Sequence, residues 1–267
     1  MSAADGDLWD LARAKTVKQR LLAAQATAVP ESVIALLVKD ASPAVRRALA
    51  TRDDLHVHRV LRQLAYDPDL KTRQALVANP NCPPEILIEL ANDSHWSVRW
   101  SLPSHPKIDP QVRGVIAQSS DDDLRRLMAE QADLDYETAS LLLSDAADVV
   151  RSALAAHTVY PVILDRLMKE DSDLVRSGVA QNGLITTEQR RTLARDCSAL
   201  VRANLLKHVE LEEDELRVLA HDRSTDVRWW LATWPTTPLA ILQILVRDPN
   251  PEVASQASAT LQNRAAE

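Results

Sequence analysis

The chain has 267 residues, 46% hydrophobic and 26% charged, with a net charge of −7 and only four glycines, at 6, 114, 178 and 183. No two of them form the patterns that phosphate-cradling loops or dinucleotide-binding turns need, and so small a supply would hardly turn a β-sandwich or barrel. The negative charge gives no bulk attraction to phosphate backbones or anionic lipid, and no apolar run or basic leader suggests a membrane span or signal, so a helical, cytoplasmic protein is expected.

In chain order, residues 1–14, with Leu8, Trp9 and Leu11, read as an N-terminal cap. From 15 to 250 the chain repeats itself. Arginine recurs as Arg20, Arg46, Arg73, Arg99, Arg125, Arg151, Arg176, Arg202 and Arg228, at steps of 25 to 27 residues, which is the signature of a solenoid. An acidic column keeps step: Asp40, Asp67, Asp93, Asp145, Asp171, Asp196, Asp222 and Asp248, with Ser119 as the exception. Each lies six residues before the next arginine, save Asp171, which is five before Arg176 because that repeat is one residue short. Leucine stands three residues before each aspartate but Asp171, which Leu167 precedes by four, Ile116 stands three before Ser119, and an apolar residue follows most arginines by three.

Each unit therefore reads as two short helices, one through segments like Val45 to Ala50 and one through segments like Ile86 to Ala91, each with an apolar stripe at three and four spacing. Prolines 30, 84, 110, 161 and 238 fall where the second helix should begin, since the first turn leaves the missing amide without cost. Helices this short need neighbours, so about nine repeats should stack as one solenoid domain over 1–267, closed by the polar segment 251–267.

The segments LIELANDSHWSVRWSL and ILVRDPNPEVASQA resemble HEAT-like repeats. The pieces VANPNCPPEILIELAND and ATWPTTPLAILQILVRDPN are still more similar to the variant leucine-rich repeat of bacterial proteins, over residues 15–260. The resemblance implies a right-handed superhelix of short helical pairs, one element partly 3₁₀, and a concave face that binds other macromolecules. Some variant-repeat proteins carry a cysteine-ligated iron–sulfur cluster before the repeats. This chain has no cysteine before Cys82, so no cofactor is expected, and Cys82 and Cys197 read as small core fillers.

The two charged columns are expected to pair within and between repeats, because a nucleic-acid stripe would not need aspartates in step with its arginines. A third column, six residues after each arginine, holds Ala26, Arg52, Asn79, His105, Gln131, His157, Asn182, His208 and Trp234. Its histidines lie two repeats apart, roughly 20 Å at about 10 Å per packed helix, so no metal site is expected; capping of carbonyls along the stack is the simpler role. The residue directly after each arginine varies most: Arg47, Gln74, Trp100, Arg126, Ser152, Ser177, Ala203 and Trp229.

Variation at a fixed place suits a groove, and Trp and Arg are enriched at binding hot spots. The candidate partner-binding set is Arg47, Trp100, Arg126, Trp229, Trp234, His105, His157 and His208, with packing of the tryptophans between repeats as the alternative. Trp229 and Trp230 are adjacent on a helix, so at least one should be partly exposed. No catalytic residues are assigned: His56 and His58 near Asp53 and Asp54 read as solvated charge, and the acidic run from Glu210 to Glu215 as a helix start. The expected function is a non-enzymatic scaffold binding a protein or peptide. The alternatives are nucleic-acid binding, disfavoured by charge and by seven Lys against 24 Arg, and a helical-repeat lyase or maturation enzyme.

Overall fold

The computed structural model describes residues 3–54 and 58–265. His56 lies outside them, as does the side chain of His58. All regular structure among the described residues is helical. The helices gather into two compact units, Met1–Met128 and Ala129–Glu267.

Within each unit the helices alternate between two layers. In Met1–Met128 the arginine-bearing layer is α2 (Val17–Gln25), α4 (Pro43–Ala50), α6 (Leu70–Val77) and α8 (Trp96–Arg99), each packed on the next. The second layer is α1 (Ala3–Ala12), α3 (Glu31–Leu37), α5 (His58–Ala65), α7 (Pro84–Leu90) and α9 (Pro110–Ala117), in which α1 packs on α3 and α5, α7 and α9 stack in turn. Helix α10 (Asp122–Ala129) closes the unit. In Ala129–Glu267 the arginine-bearing layer is α12 (Asp148–His157), α14 (Asp173–Val179), α16 (Ala199–His208), α18 (Thr225–Thr233) and α20 (Pro251–Ala265), again stacked in order. Its second layer is α11 (Tyr136–Leu142), α13 (Pro161–Leu167), α15 (Thr187–Leu193), α17 (Glu213–Ala220) and α19 (Leu239–Leu245). This alternation is that of an α-solenoid.

Local chemistry fixes the ends. Pro84, Pro110 and Pro161 stand in the first turn, and Pro30 and Pro238 one residue earlier, at the N-cap. Thr16, Asp69, Asp109 and Asp135 accept from first-turn amides, and Thr186 with Gln189 forms a reciprocal capping box. Most helices run only seven to ten residues, so their stability comes from burying stripes such as Val45 and Leu49, or Ile86, Leu87 and Leu90, between layers. Helix α8 stops after four residues, because Pro103 offers no amide to Arg99 and its ring would strike that carbonyl; the chain continues as a 3₁₀ turn, Leu102–Ser104.

One close approach depends on glycine. A Cβ on Gly178 of α14 would stand 2.3 Å from the carbonyl oxygen of Ser152 on α12, whereas one on Gly114 of α9 would meet nothing within 4 Å. Gly178→Ala is therefore expected to destabilise by about 1–3 kcal/mol through overpacking. Gly114→Ala should stabilise by about 0.5–1 kcal/mol by removing helix-interior glycine. Urea unfolding of both variants checks the opposite signs.

Candidate functional site

The arginine and aspartate columns meet. The Nε and Nη2 of Arg46 donate to both carboxylate oxygens of Asp67 at 2.6 and 2.8 Å, while its Nη1 donates to the carbonyl of Asp40 at 2.6 Å. The same three-pronged arrangement joins Arg20 to Asp40, Arg73 to Asp93, Arg176 to Asp196, Arg202 to Asp222 and Arg228 to Asp248. Each carboxylate also accepts the amide two residues on, as Asp222 does from Ser224. An aspartate is thus held by its side chain from the preceding arginine and by its carbonyl from the following one.

Two rungs depart from the column. Arg99 reaches Asp121 at 2.5 Å, because Ser119 occupies the aspartate position. Arg151 meets Glu170 at 3.0 Å, not Asp171: the repeat is one residue short, and the longer Glu170 side chain takes the position. Asp171 contributes only its carbonyl, to Arg176 at 2.8 Å. Arg125 places Nη1 on the Ser119 carbonyl at 2.7 Å, and Asp145 gives its carbonyl to Arg151 at 2.6 Å.

Burial alone would raise the carboxyls of Asp40, Asp121, Asp196 and Asp248. Hydrogen bonds from Arg20, Arg99, Arg176 and Arg228 and from nearby backbone amides outweigh it and hold all four below the ordinary value.

The column six residues after each arginine forms a second backbone ladder. Asn79 Nδ2 donates to the carbonyls of Ala50 and Arg52 at 2.8 and 2.9 Å, and Asn182 Nδ2 to those of Ala155 and Thr158 at the same distances. Arg52 Nη1 donates to Ala24 and Ala26. His105 is only 5% exposed; its Nε2–H donates to the Asn79 carbonyl at 3.0 Å while Nδ1 accepts the Lys107 amide. It is therefore a link between repeats, and its expected place in a partner-binding set is corrected on that ground. His157 and His208 are exposed at the ends of α12 and α16.

The residues after the arginines are mostly occupied by the next repeat. Arg47 donates to Asp69 at 2.9 Å, Gln74 to Ser97 at 3.0 Å, Trp100 Nε1 to Asp121 at 3.3 Å and Ser152 to the Leu174 carbonyl at 2.9 Å. Arg126 pairs with Asp123 at 3.4 Å. Trp234, after α18, is half-buried. Trp229 and Trp230 both show 36% of their surface and meet edge to face at 5.2 Å, with Lys207 Nζ 4.2 Å from the Trp230 ring. Cys82 is buried, its thiol pushed up to about 12 by desolvation. Cys197 is exposed and so is no core filler.

The column two residues before each arginine, which sequence reasoning passed over, is the apolar one at the surface. In Ala129–Glu267 it places Val149 (44% exposed), Leu174 (36%) and Leu200 (45%) on the stacked helices α12, α14 and α16. Positions three and four residues further share that helix face; they carry Ser152, Ala153, Ser177, Gly178, Ala203 and Asn204, then Trp229 and Trp230 on α18. Asp148, Asp173, Asp226 and Glu252 lie exposed along the N-terminal edge. The corresponding column in Met1–Met128 is Ala44, Lys71, Ser97 and Asp123, so the apolar row belongs to the second unit alone. A signal for it was present in the sequence as three aliphatic residues in register. Among the described residues the tightest acidic group is Asp121, Asp122 and Asp123, and Asp121 is already bound by Arg99.

Arg202 and Asp222 form the most buried rung, with side chains 4% and 3% exposed. Arg202→Ala, which strands a buried carboxylate, should cost about 3–5 kcal/mol. Arg217→Ala, which removes an exposed pair with Glu213, should cost no more than about 1 kcal/mol. Because the folded-state carboxyls are lowered, their contribution is complete above the ordinary Asp value of 3.8 and is lost as pH falls through the lowered values. Melting temperature measured against pH should show that plateau and fall.

No family model matches the chain, and no curated protein does. Among solved structures it is similar to a leucine-rich repeat variant with a novel repetitive structural motif, at a TM-score of 0.51 and 24% identity, over 76% of this chain and 80% of that one. An engineered protein (TM-score 0.16, 16% identity, 100% of each chain) and a designed armadillo repeat protein for modular peptide recognition (0.15, 15%, 97% and 98%) also match. At such TM-scores these two say nothing further about the chain. The fold is that of the leucine-rich repeat variant.

Proposed function

We propose that this chain is a non-enzymatic repeat scaffold that binds a partner protein through an extended peptide segment. The segment lies across the arginine-bearing helices of Ala129–Glu267. The observation that carries this reading is the row Val149, Leu174 and Leu200, exposed in one register and leading to Trp229 and Trp230. Three aliphatic side chains kept in water at the same place in successive repeats cost burial that packing elsewhere in the register obtains, and a partner that covers them recovers it.

Geometry and charge select the segment. Packed helices stand about 10 Å apart, and a polyproline-like strand advances about 9 Å in three residues. Apolar side chains at every third position therefore match the row. Asp173, Asp226 and Glu252 on its edge favour basic residues between them, whereas Asp148 is already paired with Arg151. Trp229 is the expected anchor, with His157 and His208 on the opposite edge. Arg47, Trp100 and Arg126, in Met1–Met128, hold carboxylates of their own unit and are outside this surface. The ladder arginines spend their donors on carboxylates and carbonyls, which favours a peptide over a phosphate backbone.

Fluorescence anisotropy of a labelled peptide with leucine at every third position and lysine between should give saturable binding to the full chain. Leu174→Asp with Leu200→Asp, or Trp229→Ala, should weaken it at least about tenfold with an unchanged melting temperature. Equal affinity for a glutamate-spaced peptide, or no effect of either variant, would reject the reading; tighter binding of a nucleic-acid oligomer would replace it.

A further inference from the structure

The chain contains one inter-repeat cleft twice, in different chemical form. In Met1–Met128 a cleft of about 440 Å³ is lined by Ala65, Tyr66, Asp67, Arg73, Glu89 and Asn92 among others. The counterpart positions in Ala129–Glu267, Ala220, His221, Asp222, Arg228, Ile244 and Arg247, line a cleft of about 950 Å³. The ion-paired floor is common to both: Arg73 with Asp93, and Arg228 with Asp248.

The walls differ in chemistry. In the first copy Glu89 accepts from Arg62 on the neighbouring helix at 2.8 Å. In the second copy the position of Glu89 is Ile244, which cannot accept, and Arg217, the counterpart of Arg62, turns back to Glu213 on its own helix at 2.6 Å. The second cleft has an apolar wall of Ala240, Ile244, Val246 and Leu261. His221, tied through Nδ1–H to the Arg217 carbonyl at 3.0 Å, stands beside it.

The charge left over is positive. Asp222 is taken by Arg202 and Asp248 by Arg228. Arg247, where the first copy has Asn92, is exposed and its guanidinium has no partner among the described residues. An apolar wall with one uncompensated guanidinium is complementary to a molecule with an alkyl chain at one end and a carboxylate at the other.

We infer that the cleft between α17, α19 and α20 binds an aliphatic carboxylate of medium chain length, with the carboxylate on Arg247 and the chain along Ala240, Ile244, Val246 and Leu261. This site is separate in its residues from the peptide row, and either can fail without the other.

The test is calorimetric titration of the full chain with octanoate, and with octylammonium as the charge-reversed probe. Octanoate should bind saturably at concentrations up to about 10 mM, with octylammonium at least about tenfold weaker. Arg247→Gln should weaken octanoate about tenfold. Ile244→Glu restores the carboxylate of the first copy as a partner for Arg217, and should close the cleft and abolish binding. Both positions are at the surface of the repeat, and thermal melts establish that the variants fold. Absence of saturable octanoate binding, octylammonium binding of equal strength, or undiminished binding by either variant overturns the assignment.

Discussion

A planar cation with three donor directions organises this molecule. The guanidinium of each ladder arginine binds the carboxylate of one repeat with two nitrogens and the backbone carbonyl of another with the third. A lysine ammonium could not reproduce this, because it offers a point charge with no fixed fork. The arrangement ties each helical pair to the next in a fixed register, since one guanidinium spans a carboxylate of one repeat and a carbonyl of another. Burying such a pair brings little net stability beyond what apolar packing would. What it supplies is register, and a stack of short, similar helices has many wrong registers available.

The same constraint decides where binding chemistry can lie. Positions beside the arginines are drawn into the ladder, as Arg47 with Asp69 and Trp100 with Asp121 show. In the column six residues on, Arg52, Asn79, His105 and Asn182 are taken by carbonyls of the preceding repeat. Freedom to vary remains two residues before the arginine and on the outer walls of the clefts. There the two units diverge: polar or small residues at Ala44, Lys71, Ser97 and Asp123, against aliphatic ones at Val149, Leu174 and Leu200. Repetition of the frame leaves such columns open to separate change.

Most of the frame was legible in the sequence, because its determinants are periodic and chemically unambiguous: arginine, aspartate, first-turn proline and two apolar stripes. The rungs at Ser119 and Asp171 were less so. Recognising that Asp121 and Glu170 substitute for them requires knowing how far a side chain reaches across a loop, which no column alignment contains. Variation after the arginine looked like an exposed groove and proved to include tailored contacts to the next repeat. His105 likewise could not be told from the exposed His157 and His208, which share its column. What separates them is position: His105 is buried against the Asn79 carbonyl of the preceding repeat, while the other two stand exposed at helix ends.

The short repeat shows how a solenoid can absorb a deletion. The repeat is one residue short between Arg151 and Leu167, and Glu170, still three residues after Leu167 and six before Arg176, meets Arg151 with one additional methylene of reach. Two helices away, Gly178 lets α14 settle against the Ser152 carbonyl at a separation that any side chain would forbid. A change in loop length is thus corrected by the length of one side chain and the absence of another, all within two repeats. The ion-pair ladder therefore keeps its pairing on both sides of the short repeat, with Arg151 before it and Arg176 after it each holding a carboxylate.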